Sequence, residues 1–131
     1  CKITAKEFSV AANKRLLLGD IEPNILPNTE ANTAKIKQVI IDVYERLIGE
    51  KLEVNDETII AAFDVYDSAL SLGKKGIDSG NISTRITRDC AVSKNQAEVN
   101  KDFVFDDGDY YTRAWQALFQ FVLMDPRYFY L

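Results

Sequence analysis

Three carboxylates crowd around a glycine in Asp106-Asp107-Gly108-Asp109, and two guanidinium groups, Arg113 and Arg127, follow downstream. A cluster of this kind can ligate calcium, but the twelve-residue EF-hand spacing fails, because Gly108 at its sixth position puts Phe103 at the first ligand site. The same acids just ahead of an apolar helix serve to cap its first N–H groups and to meet the positive end of its dipole. Arg113 and Arg127 can hold a ligand carboxylate or phosphate, and their more ordinary role is an ion pair with Asp64, Asp67, Asp107 or Asp125. Two separated carboxylates suffice for glycoside hydrolysis, yet twenty acids in the chain make such pairs unavoidable and the signal uninformative.

The chain has no histidine, which removes the commonest general base, metal ligand and partner of a Ser or Cys nucleophile. It also lacks a P-loop, a G-x-G-x-x-G turn, a C-x-x-C-H haem attachment and a G-x-S-x-G elbow. No catalytic residue, cofactor or metal site is therefore assigned. Cys1 and Cys90 are the two cysteines. They form one disulfide, or Cys1 carries the acyl anchor of a processed bacterial lipoprotein, or both are unrelated thiols; the first two readings place the chain outside the cytoplasm. A chain beginning at Cys1 also fits a piece of something longer. Asn81-Ile82-Ser83 has the form of a glycosylation sequon, a triplet that arises often by chance.

At 131 residues and 47% apolar content the chain suits one domain, spanning 1–131, with a single core. A net charge of −4, from 16 basic and 20 acidic side chains spread throughout, argues against a nucleic-acid partner. The longest apolar run, 117–124, is broken by Gln120 and is well short of the roughly 20 residues that span a bilayer.

The elements that must position these groups are helical. Thr4-Ala5-Lys6-Glu7 has capping-box form, and Phe8, Ala12 and Leu16 then recur at spacing four, predicting a helix over 5–18 closed by Gly19. Pro23 and Pro27 mark a loop. Over 29–48, Ile36, Ile40, Val43, Tyr44 and Leu47 make an apolar stripe opposite Lys35, Gln38, Asp42, Glu45 and Arg46, and Gly49 ends the helix. A third helix, capped by Asn55 or Asp56, turns Ile59, Phe63, Tyr66 and Leu70 inward and Asp64, Asp67 and Ser71 outward, with Gly73 as its stop. The stretch 74–109 has no sustained period, with a short strand at 82–86 and a helical turn at 93–99 as its only features. The last helix starts near Asp109 and stops at Pro126. Ten of the fourteen aromatic residues lie between 103 and 131. Trp115, Phe119 and Val122 belong to the core.

Two stretches also resemble a known family. Val43-Tyr44-Glu45-Arg46-Leu47-Ile48-Gly49-Glu50-Lys51-Leu52, followed by an acid-rich helix start, is similar to a unit of the planctomycete-type, cytochrome-associated bacterial domains of unknown function. Arg113-Ala114-Trp115-Gln116-Ala117-Leu118, an apolar helix, and Asp125-Pro126-Arg127-Tyr128-Phe129-Tyr130 resemble that family's closing segment. The resemblance covers about a third of the chain and implies an exported α-helical module that accompanies c-type haem domains. This chain has no haem motif, so a redox role would fall to partners or to sequence beyond it.

The expected fold is all-α, with about four main helices in an irregular bundle and one long irregular segment at about 74–109. The expected function is a non-catalytic, extracytoplasmic structural or interaction module, a subunit or domain of a larger assembly. A protein partner is expected at Arg127, Tyr128, Phe129, Tyr130 and Leu131. The alternatives are a small carboxylate-dependent glycan hydrolase and an accessory binder of an electron-transfer protein.

Overall fold

The computed structural model of the chain describes residues 18, 19, 21, 22, 24–84 and 107–129, the last two by backbone alone. Among these residues the structure is all-helical and contains no strand. Three long helices, α1 (Glu30–Ile48), α2 (Glu57–Asp78) and α3 (Tyr111–Leu123), are followed by a single turn, α4 (Pro126–Phe129). The helix expected over 5–18 lies outside the described residues, apart from Leu18, which is buried.

Local chemistry sets the helix ends. The Thr29 hydroxyl accepts the Asn32 N–H at 3.1 Å and starts α1. Gly49 ends it in the left-handed conformation (φ 81°), its N–H shared between the carbonyls of Tyr44 and Glu45, a conformation that costs a glycine little. Asp56 starts α2 by accepting the Thr58 N–H at 2.8 Å. The α1 stripe faces inward as its period requires: Ile36, Ile40, Val43 and Tyr44 are buried, together with Ile41 and Ile48, while Leu47 is partly covered.

The end of α2 is a correction. Gly73 does not stop the helix, which continues to Asp78. Gly73 is buried, and a side chain there would run into the ring of Tyr110. The glycine serves close approach between α2 and the start of α3 rather than termination, a role that sequence position alone does not separate from a cap. The irregular segment is shortened accordingly: 74–78 are helical, 79–84 are turns and bends without a strand, and 85–106 lie outside the described residues, together with the helical turn expected at 93–99.

The core sits between α2 and α3, the most extensively packed helix pair. Trp115, Leu118 and Val122 of α3 are fully buried, and Phe119 nearly so. The Tyr66 and Trp115 rings lie 4.6 Å apart at 44°, close to the tilted geometry that aromatic pairs favour. The Tyr66 hydroxyl donates to the Ile25 carbonyl at 2.9 Å and so ties the loop before α1 to α2.

Candidate functional site

Of the acid cluster before α3, Asp106 lies outside the described residues, and Asp107 makes the contacts to the helix. Asp107 is buried, its side chain 4% exposed. Its two carboxylate oxygens accept the N–H groups of Thr112 (2.9 Å) and Arg113 (3.0 Å), satisfying donors that a helix start leaves orphaned. The Arg113 side chain folds back to donate through Nε to the same carboxylate and through NH2 to the Asp107 carbonyl, both at 3.0 Å. The Asp107 N–H donates to the Thr84 carbonyl at 2.8 Å, so one residue joins the turn after α2 to the start of α3. Arg113 also stacks over the Tyr110 ring at 4.4 Å from its centroid, and Tyr110 holds a left-handed φ of 69°. Nearby, the Lys74 ammonium donates to the Tyr111 hydroxyl at 3.3 Å and lies 4.8 Å from that ring's centroid.

A second arginine organises the other end. Pro126 does end α3, with Met124 as its C-cap, but it also opens α4, where a proline's missing N–H is no loss. Asp125 accepts the Arg127 N–H at 2.9 Å and pairs with its guanidinium at 2.7 Å. Arg127 then reaches Glu50, just beyond α1, at 2.6 Å and the Thr58 hydroxyl of α2 at 3.4 Å. Hydrogen bonds from Arg127 hold the Asp125 carboxyl below the usual aspartate value, and Asp125 raises the arginine in turn. Beneath lies Tyr44, whose ring centroid is 5.9 Å from the guanidinium. Its fully buried hydroxyl has no hydrogen-bond partner among the described residues, and burial, followed by the nearby Asp125 charge, pushes it up to about 12.

No family model, curated protein or solved structure matches the chain. The site must be read from its own geometry. Of the residues expected to meet a partner, Arg127 is placed with its side chain; Tyr128 and Phe129 belong to α4 by backbone alone, and Tyr130 and Leu131 lie outside the described residues. Cys1 and Cys90 also lie outside them. Among the described residues no group of three His, Cys, Asp or Glu side chains gathers in a metal-binding arrangement, and no helix is long and apolar enough to cross a membrane.

The sequence reading did not single out a cleft of about 510 Å³ between the loop before α1 and α1 itself. The loop contributes Ile21, Glu22, Asn24, Ile25, Leu26 and Asn28, and the helix contributes Asn32, Lys35, Gln38, Val39 and Asp42. Its volume falls within the range of ordinary ligand pockets. Lys35, Gln38 and Asp42 belong to the polar side of α1, and the recurrence of polar residues at 28, 32, 35 and 42, three to seven apart, is the signal the sequence carries for this wall. Recognising it as one wall of a cleft required knowing where 21–28 runs.

Proposed function

We propose that this chain is a non-catalytic, extracytoplasmic interaction module that holds a place in a larger assembly through the region around α4. The observation that carries the reading is Arg127, which fixes α4 to Asp125, Glu50 and Thr58 and so ties it to the ends of α1 and α2. A pinned turn presents its neighbours at low entropic cost, which favours a protein contact. Met124, directly before that junction, stands 77% exposed, and a large apolar side chain so placed gains from being covered. The extracytoplasmic placement rests on the disulfide open to Cys1 and Cys90. Asp125, held below its ordinary value, is unsuited to the general-acid role that glycan hydrolysis would need of it.

The test is native purification with cross-linking and intact mass measurement, for the wild-type chain and for Met124→Asp. The expected result is a stoichiometric companion or self-association, weakened about tenfold by the substitution, as for an anchor residue. A companion-free monomer in which Met124→Asp changes nothing would overturn the reading. A haem protein as the companion would identify the partner as an electron carrier.

A further inference from the structure

We draw no further inference here: the strongest candidate, the cleft between residues 21–28 and α1, is lined by Glu22 and Asp42 against the single Lys35, and nothing in the structure shows what occupies it.

Discussion

Two aspartate–arginine junctions brace this molecule, and they differ chiefly in how much water each sees. In both, an aspartate caps the helix turn that bears its arginine: Asp107 with Arg113 at α3, Asp125 with Arg127 at α4. The first pair is 4% and 13% exposed, and the second junction runs from 12% at Asp125 to 33% at Arg127 and 45% at Glu50. Coulombic attraction is strong where the dielectric is low, but so is the penalty for a group left without its partner. The inner junction is therefore indispensable locally. The outer one is weak bond by bond and joins more distant segments.

The sharpest way to break the comparison is Asp107→Ala. That change strips the cap from two N–H groups of α3 and leaves Arg113 unpaired in a largely buried position. Loss of a buried partner costs about 3–5 kcal/mol, a large part of the stability of a small domain. Urea unfolding should show it. Asp107→Asn, which keeps a side-chain acceptor but not the charge, should fall between the alanine variant and wild type, and equal losses from both would assign the effect to the charge.

Arg127→Ala should cost about 1 kcal/mol or less, since its guanidinium is a third exposed and water can replace what it held. Its pH dependence follows from Asp125. A carboxyl held below its unfolded value contributes stability above that value, roughly 3.9, and loses the contribution as pH falls through the folded one. The difference between wild type and Arg127→Ala should hold level from about pH 7 to 5 and shrink in more acid solution. A difference that grew on acidification would show that Asp125 is not what Arg127 serves.

How far these junctions were legible in the sequence depends on the range of their contacts. The cap at Gly49, and that at Asp56 as one of two candidates with Asn55, follow from a few neighbouring residues, whereas Thr29, inside the expected helix range, is its N-cap. Arg113 with Asp107, and Arg127 with Asp125, were among the pairs the sequence allowed, because their partners lie six and two residues away. Glu50 and Thr58 were not foreseen, since 77 and 69 residues separate them from Arg127 and only the packed helices bring them together. Gly73 differs from its expected role as a stop for the same reason: its neighbour is Tyr110, and nothing local distinguishes a glycine that admits a ring from one that ends a helix. The groove on α1 was half visible, as a polar face whose facing loop has no periodicity to place it.

The smallest expected effect lies under the outer junction, at Tyr44, and is measured against a second buried tyrosine, Tyr66. Tyr44 and Tyr66 are both fully buried, but Tyr66 donates its hydroxyl to Ile25 while that of Tyr44 meets no acceptor among the described residues. A net hydrogen bond contributes about 1 kcal/mol, and an unsatisfied buried hydroxyl costs a comparable amount or more. Tyr66→Phe should therefore destabilise by about 1 kcal/mol, whereas Tyr44→Phe should be neutral or slightly stabilising. Paired thermal unfolding of the two variants measures this. A Tyr44→Phe loss as large as that of Tyr66→Phe would mean that the Tyr44 hydroxyl is bonded in solution, and the outer junction would then extend inward from Arg127 to the core face of α1.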